Sequence, residues 1–290
     1  MTDLPLHLVA RVVREALLED IGPGDLTSMA LVGPEARARG VIIAKRDLVL
    51  AGLTPARLAF HAMDPATWIV EEGVEGTALR AGAVLLAVEA KTTALLGAER
   101  TALNFLGRMC GIATLTRRFV EEVKGTAAAI YDTRKTTPGH RLLERQAVRL
   151  GGGRNHRFGL FDGVLIKDNH HAVNGDLAGA ITRTRRFVHG RCPIEVEVDD
   201  LPSFDAALEA GADIILLDNM SPRELREAVG RKKKWASGGT GKSVLLEASG
   251  GISIATVGEV ARTGVDRIAI GALTHSAPAS DVSLEIVGIG

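Results

Sequence analysis

The segment IEVEVDDLPSFDAALEAGADIILLDNMSPRELREAV, residues 194–229, decides the fold of this chain. Its apolar runs IEVEV and IILL are short, rich in β-branched residues, and each is followed by Asp, at Asp199 and Asp218. The stretches SFDAALEA and SPRELREAV that come after them have the pattern of helices. A strand, helix, strand, helix order predicts right-handed βαβ units and therefore a parallel sheet.

The same alternation extends in both directions along the chain. Further strands are predicted in AAAIYD, GVLIK, VLLEAS and DRIAIG, and further helices in HRLLERQAVRL, LAGAITRTRRFV and ATVGEVART. Strands that alternate with helices in this way favour a parallel α/β barrel. Six strands are fewer than the eight of a regular barrel, so either one or two strands escape the pattern or the barrel is incomplete.

The first part of the chain has a different rhythm. Residues Pro5 to Asp20 predict an amphipathic helix with an apolar stripe, formed by Leu6, Val9, Val13 and Leu17. Short β-branched runs from Arg39 to Ala90 predict a small antiparallel sheet. A long helix is then expected from Thr93 to Lys124, broken near Gly111, with Arg100, Asn104 and Arg108 on one side.

The composition excludes several classes of protein. Of the 290 residues, 46% are hydrophobic and only 3% aromatic, and 35 basic residues balance 35 acidic ones. Neutrality disfavours nucleic-acid and membrane-surface binding as main roles, and scarce aromatics disfavour base stacking. The first twenty residues carry acids and arginines within their apolar pattern, which excludes a signal peptide or a membrane span there. Cys110 and Cys192 have no metal-site spacing, so we interpret them as reduced thiols of a cytoplasmic protein.

Polar or small residues stand where each predicted strand ends. They are Asp132, Lys167, Glu197, Asp218, Ser249 and Gly271. In parallel α/β folds ligands bind at this carboxyl edge, so we expect the site there. Glu195, Glu197 and Asp199 also share one face of their strand, and buried acids need cations or a metal as partners.

Positive charge is concentrated between Arg134 and His170, where eight lysines and arginines stand against three acids. A local basic pocket on a neutral chain suits a small polyanion. Arg134 can grip a carboxylate or phosphate through two parallel hydrogen bonds, and Lys135 adds a mobile point charge. The alternative is a solvated pair in a loop. His156 lies in the loop GGGRNHR, which favours ligand contact over the role of an ordinary core histidine.

Lys167 has three possible roles: it can bind an anion, form a salt bridge to Glu197, or act as a Schiff-base amine. We expect anion binding. Glu197 and Asp218 can hold Mg²⁺, through water or bridging phosphates, or can be paired structurally with Lys135 or Lys167.

Two stretches rich in small residues predict phosphate cradles. Residues 249–251 (SGG) and 270–276 (IGALTHS) each follow a strand, where backbone N–H groups and a helix N-terminus can hold a phosphate. A third, ASGGTGKS at residues 236–243, is close to a Walker A loop, but no strand precedes it. We interpret it as a surface loop.

Taken together these motifs resemble the quinolinate phosphoribosyltransferase family. The resemblance rests on DTRKTTPG, GGGRNHRFGLFDGVLIKDNH, EVEVD, IILLDN, LEASGGI and IGALTHS, in that order, and on ALLEDIGPGDLTS and GAERTALNFLGRMCGIAT nearer the N-terminus. It runs from about Arg14 to Leu284.

The resemblance implies an N-terminal α/β sandwich domain over residues 1–112, to which residues 275–290 can return, and an incomplete α/β barrel over residues 113–274. It implies a transferase of NAD biosynthesis that joins quinolinate to phosphoribosyl pyrophosphate with Mg²⁺. The products are nicotinate mononucleotide, pyrophosphate and CO₂. It also implies a homodimer with shared sites.

The resemblance assigns residues to each substrate. Arg134, His156, Arg157 and Lys167 are expected to bind the quinolinate carboxylates, with Arg100 reaching in from the partner subunit. Phosphoribosyl pyrophosphate and its metal are expected to be bound by Lys135, Glu197, Asp218, Ser249, Gly250 and Gly271, with His275 close by. Lys167, Glu197 and Asp218 are the expected catalytic residues.

Two other functions compete with this one. A barrel lyase or aldolase would use Lys167 as a Schiff-base amine, and a non-enzymatic phosphosugar-binding protein would bind without turnover. A purine-type phosphoribosyltransferase is disfavoured because IILLDNMS lacks that class's paired acids and Thr-Gly loop.

Overall fold

The structure is a computed structural model, and it describes residues 4–167, 177–240 and 243–289. The chain forms two compact units. The first comprises Met1–Arg117, Thr136–Gly152 and Ala272–Gly290, and the second comprises Arg118–Lys135 and Gly153–Gly271. The first unit therefore draws on three separate parts of the sequence.

An antiparallel sheet forms the centre of the first unit. Its strands lie in the order β12-β1-β5-β3. Their bounds are β1 Arg37–Ala44, β3 Trp68–Glu72, β5 Val84–Lys91 and β12 Val282–Ile289, and a separate pair is β2 Leu48–Val49 with β4 Ala78–Leu79. The predicted antiparallel sheet is confirmed, and β12 adds an edge strand antiparallel to β1, with Leu284 opposite Ile42.

Helices cover this sheet. They are α1 Leu6–Ile21, α2 Leu26–Leu31, α3 Leu53–Met63, α4 Thr92–Glu122, α5 Arg141–Leu150 and the short α10 Ala272–His275. Helix α1 buries Val9, Val13 and Leu17 as expected, although Leu6 is 60% exposed. Helix α3 lies inside the segment predicted as sheet. Its Ala56, Ala59 and Phe60 are fully buried, at the spacing of one helix face.

Helix α4 is continuous, so the predicted break near Gly111 is wrong. A Cβ at residue 111 would overlap the carbonyl of Pro278. The glycine therefore allows a close approach of two backbones within the first unit, and the helix does not bend away from it.

We expect Gly111→Ala to destabilise the protein by about 1–3 kcal/mol, because the added methyl group forces either helix α4 or the backbone at Pro278 to shift. Thermal unfolding measures this loss. The matched control is Gly230→Ala, where a Cβ meets nothing within 4 Å inside a helix and should stabilise slightly. Equal melting temperatures for the two variants would contradict the packing role of Gly111.

A six-stranded parallel sheet forms the second unit, in the order β6-β11-β10-β9-β8-β7. The strands are β6 Ala129–Tyr131, β7 Val164–Ile166, β8 Ile194–Val198, β9 Ile214–Asp218, β10 Leu245–Ser249 and β11 Arg267–Ala269. Its first strand lies beside its last, as in a barrel. Within the described ranges β6 does not pair with β7, so the barrel is open there, and the predicted incomplete α/β barrel is confirmed.

Helices connect these strands: α6 Leu177–Val188, α7 Leu201–Glu209, α8 Pro222–Trp235 and α9 Ile254–Ala261. The Walker-like stretch is not a loop at its start, because Ala236–Thr240 continues α8 as a turn of π-helix. Its Gly241 and Lys242 lie outside the described residues. Within the described part of the chain, no helix is long and apolar enough to cross a bilayer.

Candidate active site

The strand-end residues lie where the sequence predicts them. Asp132 and Lys167 directly follow β6 and β7, and Glu197 is the last residue but one of β8. Asp218 and Ser249 close β9 and β10, and Gly271 comes two residues after β11. Because the strands are parallel, these positions share the carboxyl edge of the second unit. Asp168, Asn169 and His170, which complete the KDNH motif, lie outside the described residues.

Lys167 and Glu197 form an ion pair, with 2.9 Å between Nζ and Oε2. The lysine side chain is 45% exposed and the glutamate 17%. Of the alternatives left open by the sequence, the salt bridge to Glu197 is therefore present. In this pair the Lys167 side chain already has a carboxylate partner, and its exposed part can still neutralise a substrate anion.

The backbone N–H and both ring nitrogens of His156 have partners in the second unit. Its backbone N–H donates to Asp132 Oδ1 at 2.7 Å, and its Nδ1 accepts the Arg157 N–H at 2.9 Å. Its Nε2 lies 2.9 Å from Glu195 Oε2 and 3.4 Å from Glu247 Oε1. The side chain is 10% exposed. His156 is therefore held by Asp132, by Arg157 and by the two glutamates.

Glu195 and Glu247 influence the pKa of His156. Burial lowers the pKa of His156, but the hydrogen bonds and charges of Glu195 and Glu247 outweigh burial and raise that pKa to about 10. Burial raises the pKa of Glu247. The Arg157 N–H works against protonation of Nδ1, because that nitrogen accepts a hydrogen bond. Nε2 therefore keeps its proton, which points at Glu195 Oε2, with Glu247 Oε1 further away at 3.4 Å.

Two arginines of the predicted anion site influence each other. Burial and then the charge of Arg134 lower the pKa of Arg157, against the opposing charges of Glu195 and Asp162. The Arg157 Nη1 also donates to the carbonyl of Gly163 at 3.0 Å. Two guanidinium groups close enough to repel each other favour a bound anion between them. Lys135, which directly follows Arg134 in the sequence, is exposed.

The small residues after β10 give the backbone an unusual path. Gly250 has φ +96° and Gly251 φ +61°, a region that favours glycine. A Cβ at Gly250 would overlap the side-chain oxygen of Asn219. The Asn219 Nδ2 donates to Asp218 Oδ2 at 2.7 Å, so the glycine lets β9 and β10 end close together.

Arg100 and His275 belong to the first unit. Arg100 is exposed on α4, and His275 is exposed at the end of α10 with Nδ1 2.6 Å from Ser276 Oγ. A cavity of about 630 Å³ also lies in the first unit, lined by α1, α4 and residues 137–144. None of the twelve predicted site residues is among the residues lining it.

The residues predicted to hold Mg²⁺ offer the right donor chemistry. Glu197 and Asp218 supply carboxylate oxygens on neighbouring strands β8 and β9, and hard divalent cations prefer oxygen ligands. Both carboxylates have a second partner, Lys167 and Asn219 respectively. Since one oxygen of each is already engaged, the pair suits a cation that keeps most of its ligands from water or a phosphate.

The sequence reasoning overlooked part of the polar interior. Glu247 was not singled out, Glu195 was expected to need a cation or a metal but no partner was named for it, and Asp132 was noted only for its position. Asp132 is completely buried and also accepts from Asn155 Nδ2 at 2.6 Å. An available signal was a charged residue inside an apolar strand, as in LLEAS.

The sequence matches two halves of one described family. Residues 25–110 match the quinolinate phosphoribosyl transferase N-terminal domain, and residues 112–285 match the C-terminal domain. The chain belongs to the quinolinate phosphoribosyltransferase family. The boundary between the two matches falls inside helix α4.

Relatives of this family match over nearly the whole chain. A nicotinate-nucleotide pyrophosphorylase (carboxylating) of Mycobacterium leprae is 40% identical over 99% of this chain and 100% of the relative. A probable enzyme of the same name from Bacillus subtilis is 38% identical over 97% of this chain and 94% of its own. The solved nicotinate-nucleotide pyrophosphorylase of Francisella tularensis has a TM-score of 0.89 at 36% identity and covers 98% of both chains.

Proposed function

We propose that this chain transfers the phosphoribosyl group of phosphoribosyl pyrophosphate to quinolinate and decarboxylates the product to nicotinate mononucleotide. Membership of the family supports the reaction, which serves NAD biosynthesis. The observation that carries the substrate is the match of residues 112–285 to the family's C-terminal domain, which contains Arg134, Arg157 and Lys167. Two guanidinium groups and an ammonium suit a dianion. We further propose a cytoplasmic location, consistent with two free cysteines.

The cations bind and orient quinolinate. Arg134, Arg157 and Lys167 neutralise the two carboxylates, which allows the dianion to approach the negatively charged phosphosugar. His156 supports this anion site through the hydrogen bond that its Nδ1 accepts from the Arg157 N–H. With both substrates fixed, the ring nitrogen lies within reach of the sugar C1, and positioning supplies much of the rate.

The protein's own carboxylates, those of Glu197 and Asp218, act on the sugar. Glu197 and Asp218 stabilise positive charge that develops at C1 when the C1–pyrophosphate bond breaks. Mg²⁺, when bound near Glu197 and Asp218, supplies charge neutralisation for pyrophosphate. The Ser249–Gly250 turn and Gly271 present backbone N–H groups to the phosphates, and Lys135 adds positive charge. The family resemblance adds His275 to this set. The new C–N bond leaves the ring nitrogen positive. That charge stabilises the electron pair left on the adjacent ring carbon when CO₂ departs, and the carbon then takes up a proton from the solvent.

We also propose that the protein is a homodimer with shared sites, in which the exposed Arg100 completes the quinolinate site of the partner subunit. The family resemblance supports this arrangement. A dianion that meets a polyphosphate needs additional positive charge, which a second subunit can provide.

The decisive assay combines the purified protein with quinolinate, phosphoribosyl pyrophosphate and Mg²⁺. We expect nicotinate mononucleotide and CO₂ in equal amounts, each dependent on all three additions. Binding of phosphoribosyl pyrophosphate without product would favour the non-enzymatic alternative. Borohydride trapping of a carbonyl substrate on Lys167 would favour the lyase.

A further inference from the structure

Two buried carboxylates lie next to His156, one of the residues predicted to bind the anion. Glu195 on β8 and Glu247 on β10 are 3% and 0% exposed. Within the described part of the chain, Glu195 Oε1 and both oxygens of Glu247 have no hydrogen-bond partner. Buried carboxylate oxygens without such partners are costly, so a fold that keeps three of them needs a compensating role for these glutamates.

Two nitrogen donors face these carboxylates, one from His156 and one from Arg267. His156 Nε2 approaches Glu195 at 2.9 Å and Glu247 at 3.4 Å. On β11, Arg267 Nη1 lies 3.7 Å from Glu247 Oε2, and its guanidinium lies 4.7 Å from the Tyr131 ring centroid. Arg267 is thus already engaged with an aromatic face. The imidazole is the group that both glutamates share.

The His156 ring transmits this arrangement to Arg157. Its Nδ1 accepts the Arg157 N–H, so the ring orientation fixes the backbone from which the Arg157 side chain extends. The Arg157 guanidinium is then anchored to the Gly163 carbonyl. If the imidazole rotated, Arg157 would lose the contact that sets its starting direction.

A metal ion is a poorer occupant of this cluster. One donor atom each from His156, Glu195 and Glu247 lie within 4.8 Å of one another. A histidine that binds metal through Nε2 carries its proton on Nδ1. Here Nδ1 accepts a hydrogen bond, so the proton belongs on Nε2, where it points at Glu195.

We infer that Glu195 and Glu247 are positioning residues that act through His156 to orient Arg157 in the site for the pyridine dicarboxylate. This inference rests on the proposed function for the identity of the substrate. The glutamates fix the imidazole from the interior, and the imidazole fixes the arginine at the surface of the site. His156 then belongs to the support of the anion site.

The test compares Glu247→Gln and Glu195→Gln with the wild-type enzyme. Each change keeps the side-chain shape and removes a charge that favours the Nε2 proton. We expect the KM for quinolinate to rise about tenfold, with kcat and the KM for phosphoribosyl pyrophosphate within about twofold. Glu259→Gln removes an exposed carboxylate paired with Arg226 and should change none of these values. An unchanged quinolinate KM in both folded variants would overturn the inference.

A double-mutant cycle shows whether the effect passes through His156. In a His156→Gln background, Glu247→Gln should raise the quinolinate KM no further, because the intermediary is already lost. A purely structural role would instead lower the melting temperature and give additive effects on KM. Additivity would therefore contradict the inference, even if both single variants were impaired.

A spectroscopic measurement separates this inference from the proposed function. In protein with ¹⁵N-labelled histidine, His156 should show a protonated Nε2, and Glu195→Gln should shift that resonance. If the wild type uses quinolinate but the resonance and KM do not respond, only the inference fails. If the wild type does not use quinolinate, the proposed function fails, and the resonance alone decides the inference.

Discussion

Arg134→Ala is expected to cost about 2–5 kcal/mol of transition-state stabilisation with quinolinate, read from kcat/KM. The reason is the proximity of two like charges, since burial and then the charge of Arg134 lower the pKa of Arg157. A substrate dianion turns this repulsion into two charge-assisted contacts. Removal of one guanidinium leaves a carboxylate of the substrate without its bidentate partner. Steady-state kinetics with quinolinate as the varied substrate measure the loss.

The control for that experiment is Arg226→Ala. Arg226 is an exposed arginine of the same unit, and its ion pair with Glu259 at 3.2 Å is worth little. Near-normal kinetics for Arg134→Ala, alongside those of Arg226→Ala, would remove Arg134 from the site.

Arg100→Ala and Lys167→Ala should each abolish turnover alone, yet regain activity when mixed and allowed to exchange subunits. In a mixed dimer with shared sites, one site takes intact Lys167 from one subunit and intact Arg100 from the other. Random exchange makes half of the dimers mixed, with one good site of two, so about a quarter of wild-type activity is expected. The assay is nicotinate mononucleotide formation before and after exchange.

A matched pair of variants provides the negative control for complementation. Lys167 and Glu197 form an ion pair within one subunit, so Lys167→Ala mixed with Glu197→Gln should regain nothing. Proven subunit exchange without recovery in the Arg100 mixture would exclude the shared site. Recovery in both mixtures would show that complementation does not report on site sharing.

The barrel and its functional edge could be predicted from the sequence because both depend on local patterns. Apolar runs define β6 to β11, and a polar or small residue follows each run at the edge where ligands bind. Helix α3 was missed because its short apolar pattern lies between strands, where length and periodicity do not distinguish the two.

Long-range packing explains the other differences. In the sequence, Gly111 suggests a helix break. The structure shows instead that the glycine makes room for Pro278, which is far away in the sequence. Likewise, Glu195 and Glu247 lie on strands separated by β9, and their convergence on His156 depends on the sheet order. The sequence could identify Lys167 and Glu197 as candidates, but only the structure distinguishes their ion pair from the alternatives.

The pairing of β12 with β1 has a consequence for how the protein is made. During translation β1 emerges early, while its edge partner follows every strand of the parallel sheet. Until then one edge of β1 remains an unpaired template for other chains. Slowing the ribosome between β5 and β12 should therefore increase aggregation of the newly made protein.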